Sequence, residues 1–298
     1  MDSNKNNPSE FLKYLLQQKY PTILPPSSYL PSPTRLSLPK DLKSPLTKKW
    51  KPPFLSSIKL RLDNEEKKGR KKIRDIQKGL TMPDIEQVQI GSAKKMIASI
   101  IFFDLMDFTL RSAELGNENT LLTLNLIIPQ VIYIIKYWKG EIEKNTGDGV
   151  MAIFGTETRN DFLIARDTIE AAMSIRYVMV NEINSRLNNK NISSFGFRIG
   201  IDMEDLLIAR VGIQGTNFLT VIGGAANRAS KLQDYAKPNG ICIGENLYRN
   251  LHPKLHSFCE QGTHKDWNWN YLGTNQPYRF FHFNADWPEP KEWLKIKF

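Results

Sequence analysis

Apolar positions are distributed unevenly along this 298-residue chain. Up to about residue 92 they are scattered among Pro, Ser and Lys; beyond it they gather into short dense runs parted by turn residues. Residues 96–103 are a β-type apolar run, as expected of a buried strand. Residues 117–138 space their apolar side chains for a helix, and residues 140–154 predict two strands joined around Asn145–Gly149. Between Arg159 and Leu187, the side chains of Phe162, Ile169, Ala172, Met173, Ile175, Val178, Met179 and Ile183 fall near one helical stripe suited to core packing. Residues 195–201, 207–211 and 218–222 predict further strands, 224–235 a helix and 241–243 a strand. Sheet and helix alternate, so the expected fold class is α+β, one mixed β-sheet covered by helices.

The segments outside these runs look different. Residues 21–53 hold nine of the seventeen prolines, interleaved with Ser, Thr and Lys, and read as an extended arm or linker. Residues 10–16 before it suit a short amphipathic helix or a frayed terminus. Residues 64–78 carry Lys67, Lys68, Arg70, Lys71, Lys72, Arg74 and Lys78, a run read as a solvated helix rather than a nucleic-acid surface. The expected division is a Pro-rich and basic N-terminal extension over residues 1–92, a compact domain over 93–250, and an aromatic-rich C-terminal extension over 251–298. In that extension residues 278–283 are expected to add a strand, with Trp287 and Trp293 packed on the domain.

A net charge of +10 suits a polyanionic partner, but 41 basic against 31 acidic residues is too mild an excess to choose between nucleotide, RNA and an acidic membrane. Cys242 and Cys259 form no zinc-ligand pattern, and His252, His256, His264 and His282 show no ligand spacing. A reducing, cytoplasmic location is expected. The apolar stretch 121–135 is interrupted by Asn125, Pro129 and Gln130 and is short for a bilayer, so no membrane insertion is expected.

The chemistry concentrates in two segments. Ile101-Phe102-Phe103-Asp104-Leu105-Met106-Asp107 and Lys144-Asn145-Thr146-Gly147-Asp148-Gly149 each put a carboxylate at the end of a strand-like run, beside a turn. Such aspartates are often turn caps or surface residues; two that converge can hold divalent metal against a triphosphate. Phe102, two residues before Asp104, suits either a pocket floor or simple core packing, and Gly149 is expected to leave space after the second aspartate.

These segments, with Val150-Met151-Ala152-Ile153-Phe154-Gly155 after the second, resemble the class III nucleotidyl cyclase catalytic domain over roughly residues 93–250. The resemblance implies that Asp104 and Asp148 bind two ions, Mg²⁺ or Mn²⁺, with the Leu105 carbonyl as a further ligand. A third segment, Leu219 to Leu232, matches the family's strand–turn–helix: Asn227 stands where the ribose-orienting asparagine falls, and Lys231 where most members carry a transition-state arginine. Lysine keeps the charge but loses the bidentate fork. Lys144 and Thr220 occupy base-contacting positions and do not by themselves choose the base. The family's usual His-Thr-Gly is replaced here by Asp202-Met203-Glu204. This form looks most like the compact stand-alone pyrimidine cyclases of bacterial Pycsar anti-phage systems.

The resemblance implies a homodimer with shared sites, converting UTP, or next CTP, to the 3′,5′-cyclic monophosphate and pyrophosphate, and a separate cyclic-nucleotide-activated effector. An adenylate cyclase is the rival within enzymes. A catalytically silent nucleotide-binding module is the rival of another class.

Overall fold

The computed structural model describes Leu60 and residues 77–78, 88–155 and 160–285. All but Leu60 belong to one compact unit, residues 62–298. The expected helix at 10–16, the proline-rich arm, most of the basic run, and Trp287 and Trp293 lie outside the described residues. In chain order the elements are β1 (Gln77–Lys78), β2 (Ala93–Leu105), α1 (Phe108–Tyr137), β3 (Glu141–Asn145), β4 (Gly149–Phe154) and α2 (Asp161–Tyr177). A π-helical turn (Val178–Ile183) leads into α3 (Asn184–Asn188), then β5 (Phe197–Ile213), β6 (Thr216–Ile222), α4 (Gly224–Tyr235), β7 (Gly240–Gly244), α5 (Glu245–Asn250), β8 (Cys259–Gln261) and β9 (Phe280–Phe283).

The strands form one mixed sheet in the order β3-β4-β2-β5-β7-β9-β8. β2 runs antiparallel to β4 on one side and to β5 on the other. The first part of β5 lies parallel to β7, and its far end folds back on β6 as a hairpin. β1 pairs in parallel with Lys94 and Lys95, so the end of the basic run, Gln77 and Lys78, is strand rather than helix.

Alternation along β2 decides which face each residue serves. Ile101, Phe103 and Leu105 enter the larger core with Ile127, Val131 and Ile135 of α1 and Ile164, Ile169 and Ala172 of α2. Met96, Ala98 and Ile100 enter a second core with Ala225 and Ala229 of α4, and Phe102 packs on it. Asp104 continues this second phase and so faces the side of the sheet that α4 covers. α4 lies very close to the sheet: a Cβ on Gly200 of β5 would fall 2.1 Å from the Ala229 carbonyl oxygen. Only glycine permits that approach.

Three elements differ from the sequence pattern. α1 begins at Phe108 rather than near residue 117, its first part set off by a kink at Gly116 (φ 74°). It is long and apolar enough to cross a membrane by length and composition, yet Thr123, Ile127, Ile128, Val131, Ile134 and Ile135 are buried in the domain. The expected helix over 159–187 starts where the Asn160 side chain accepts from the Phe162 and Leu163 amides, a satisfied N-cap, and passes through a π-turn; Phe162 is 39% exposed rather than in the core. The two strands expected at 195–201 and 207–211 are the single strand β5. Its middle, Asp202-Met203-Glu204, reads as a break, but Asp202 is fully buried and ion-paired.

Candidate active site

The two aspartates come together at the end of the β2–β4 pair. Asp104 lies opposite Gly149 on β4 and Arg198 on β5. Asp148 sits in the β3–β4 turn, which the Asn145 carboxamide closes by accepting from the Gly147 amide at 2.9 Å. Gly149 does not leave the open space expected of it: a Cβ there would lie 2.8 Å from Thr146 Oγ1, 2.9 Å from the Phe103 carbonyl and 3.0 Å from Asp104 Oδ1. Its role is close approach, letting the turn carry Asp148 against the end of β2.

Burial pushes the Asp104 carboxyl up to about 6, with the charges of Asp148 and Asp234 adding to the rise and Arg198 opposing it. Repulsion between gathered carboxylates is what a divalent cation relieves, and an all-oxygen donor set of carboxylates with a strand-end carbonyl suits Mg²⁺ or Mn²⁺. No group of three or more His, Cys, Asp or Glu able to hold a metal occurs among the described residues; Asp104 and Asp148 are the two carboxylates at this strand end, with the Leu105 carbonyl next to Asp104 in the chain. The Leu105 side chain itself is buried in the larger core. Arg198 and Gln233, neither evident in the sequence, complete the surroundings: Gln233 Nε2 reaches Asp104 Oδ2 at 3.4 Å from the end of α4. Phe102 is half-buried against the second core, so its packing role is met.

Lys144 and Thr220 meet through Glu143, which simple alternation would place on the face opposite Lys144. The β3–β4 register shifts between Ile142 and Lys144, a bulge that leaves Glu143 as the extra residue. Ile142 therefore faces the larger core, while Glu143 and Lys144 are both brought to the face that α4 covers. Thr220 Oγ1, on β6, donates to Glu143 Oε1 at 3.1 Å, and Lys144 Nζ stands 3.4 Å from Glu143 Oε2. The Lys144 side chain is about half exposed and that of Glu143 only 6% exposed. A cavity of about 270 Å³ opens here, walled by Ile153, Ile208 and Phe218.

α4 carries the third group. Asn227 and Lys231, one turn apart, lie on its exposed side. Lys231 Nζ is 3.3 Å from Asp234 Oδ2, and that hydrogen bond holds its ammonium above the usual lysine range. No bond among the described residues links Asn227 or Lys231 to Asp104 or Asp148 of the same chain. The opposite side of α4 is anchored by Arg228, whose Nε donates to the buried Asp202 and whose Nη2 donates to Glu204 Oε2 at 2.6 Å. Tyr278 donates its hydroxyl proton to Asp202 Oδ1 at 2.6 Å, and Glu204 Oε1 accepts from the Ala225 amide at 2.6 Å. Asp202-Met203-Glu204 thus forms an ionic seat that fixes the helix bearing Asn227.

A family model described as "Adenylate and Guanylate cyclase catalytic domain" matches residues 91–265. A "Cytidylate cyclase" of Staphylococcus aureus is 30% identical over 176 residues, 57% of this chain and 41% of that protein. A "Uridylate cyclase" of Burkholderia cepacia is 29% identical over 195 residues, 61% of this chain and 79% of that protein. The chain thus spans well under half the length of the first and most of the second. Among solved structures, the guanylyl cyclase Cya2 superposes with a TM-score of 0.57 at 20% identity, covering 66% of this chain and 96% of that one; this is a likeness of fold.

Proposed function

Because this chain belongs to the adenylate and guanylate cyclase catalytic domain family, we propose that it converts a pyrimidine nucleoside triphosphate to its 3′,5′-cyclic monophosphate and pyrophosphate. The ribose 3′-oxygen bonds to the α-phosphorus, the bond from that phosphorus to the bridging oxygen of the β-phosphate breaks, and the 3′-hydroxyl loses its proton. The observation that carries this is the pairing of Asp104 with Asp148 at one end of the sheet. These carboxylates and the Leu105 carbonyl would hold two divalent ions, Mg²⁺ or Mn²⁺. When bound, such ions lower the pKa of the 3′-hydroxyl and neutralise charge on the phosphates. Asn227 orients the ribose, Lys231 sets a point charge against the α-phosphate, and Lys144 and Thr220 meet the base. Phe102 and Gly149 shape the floor beside Asp104.

A second copy of the chain completes each site. The exposed setting of Asn227 and Lys231 supports this, as do the exposed apolar residues Val211, Ile213, Phe218 and Ile222 on the β5–β6 hairpin. One copy then supplies the aspartates and the other supplies Asn227, Lys231, Lys144 and Thr220. We further assign the protein to the cytoplasm and to an anti-phage alarm, its product read by a separate cyclic-nucleotide-activated effector; the relatives named cytidylate and uridylate cyclase support the pyrimidine part of this reading.

Incubation of the purified protein with Mn²⁺ and ATP, GTP, CTP or UTP, with products identified by mass spectrometry, tests the assignment. Cyclic CMP or cyclic UMP, abolished by Asp104→Ala in a folded protein, is expected. Cyclic AMP as the main product would make it an adenylate cyclase. The Asp234 hold on Lys231 favours one further reading, a silent nucleotide-binding module, which retains nucleotide and releases no pyrophosphate.

A further inference from the structure

We propose that Glu143 is the specificity-determining residue of the base pocket and selects an exocyclic amino group, so that among pyrimidines CTP is preferred to UTP. The inference rests on the cyclase reading and deepens it, and it reverses the UTP-first order that the resemblance suggests.

The argument begins with protons. Glu143 Oε1 accepts the Thr220 hydroxyl proton at 3.1 Å. With that proton committed, Thr220 Oγ1 offers the pocket only lone pairs. Glu143 Oε2 is buried and has no hydrogen-bond donor among the described residues, the Lys144 ammonium at 3.4 Å lying within Coulombic reach only. A buried carboxylate oxygen left in this state demands a donor. The pocket therefore presents two neighbouring acceptors, Glu143 Oε2 and Thr220 Oγ1, flanked by one donor, Lys144 Nζ, with Ile153, Ile208 and Phe218 as apolar walls.

The cytosine edge answers this pattern. Its 4-amino group carries two N–H donors for the two acceptors, and N3 and O2 beside it accept from Lys144. Uracil carries the reverse arrangement, a single N–H between two carbonyls, and would set its O4 lone pairs against the carboxylate. One well-made polar base contact is worth roughly ten- to hundred-fold in discrimination. The β3 bulge makes the arrangement possible, because it alone puts Glu143 and Lys144 on the same face.

The test compares kcat/KM for CTP, UTP and ATP in the 298-residue wild-type chain, Glu143→Gln and Thr220→Val, in Mn²⁺. The CTP/UTP ratio is read within each preparation, so any loss of folded enzyme cancels. The wild type is expected to favour CTP by ten-fold or more. Glu143→Gln keeps the Thr220 bond and turns Oε2 into an amide donor; it is expected to move the ratio toward UTP by at least ten-fold, and Thr220→Val by less. A wild type that favours UTP, or a ratio unmoved by Glu143→Gln, overturns this inference and leaves the cyclase reading standing. Turnover of ATP ahead of both pyrimidines, or of no nucleotide at all, overturns the reading on which it rests.

Discussion

Replacing Arg228 by Met should cost more stability than any single truncation on the surface of the domain. Arg228 is 7% exposed, and its guanidinium neutralises two carboxylates, that of Asp202, which is fully buried, and that of Glu204 at 2.6 Å. It also lies 4.4 Å from the centre of the Tyr278 ring. Methionine fills much of the same volume but leaves Asp202 with uncharged donors alone, the Tyr278 hydroxyl and the Met203 backbone amide, and removing one partner of a buried ion pair costs about 3–5 kcal/mol. Burial already pushes the Asp202 carboxyl up to about 6 against the pull of Arg228. Without the arginine that value rises further, so the deficit should be largest above neutral pH and should shrink as the pH falls and Asp202 takes up a proton. Urea unfolding at fixed protein concentration measures this. Arg228→Met should lower the unfolding free energy by about 3–5 kcal/mol at pH 8, and adding Asp202→Asn, which removes the stranded charge but can still accept from Tyr278, should recover about half or more. Because Arg228 adjoins Asn227 on α4, turnover should fall in the single variant and return in the double. A single variant within about 1 kcal/mol of the wild type, or no recovery in the double, would refute the reasoning.

Two further outcomes follow from the packing. Gly200→Ala puts a methyl group 2.1 Å from the Ala229 carbonyl, so α4 must lift from β5; a loss of about 1–3 kcal/mol by urea unfolding is expected, with a larger proportional loss of turnover. Glu245, at the start of α5, accepts from the Arg279 backbone amide at 3.0 Å and from the Arg249 and Arg279 guanidiniums at 2.7 Å, and these partners hold its carboxyl down at about 2. Its folded-state value lies below the unfolded one, so its contribution is complete above pH 4.5 and is lost as the pH falls toward 2. The wild type should lose more stability between pH 5 and pH 3 than Glu245→Gln does, as followed by thermal unfolding.

The parts of the candidate site legible in the sequence are those set by local chain. Asp104 and Asp148 announce themselves because each closes an apolar run at a turn, and Asn227 and Lys231 because strand, Gly-Gly turn and helix occur in one continuous stretch. The fold class was legible for the same reason, since period-two and helical runs alternate from residue 93 onward and the structure is a mixed sheet with helices. What sequence reading missed depends on partners distant in the chain. Asp202 and Glu204 look like turn residues until Arg228 and Tyr278 are seen to satisfy them, and this is why β5 runs unbroken. Lys144 falls on the face opposite Glu143 by alternation, and only the bulge brings the two together. Arg198 and Gln233 approach Asp104 from β5 and α4, and no spacing in the chain signals that contact.

The central claim is that aspartates of one copy work with Asn227 and Lys231 of another. Asp104→Asn and Asn227→Ala should each be inactive and folded. Mixed in equal amounts and allowed to exchange subunits, half the dimers should be hybrids carrying one intact site of two, so cyclic-nucleotide synthesis should return to about a quarter of the wild-type rate. A mixture of folded, exchanged dimers that stays at background would contradict the shared site.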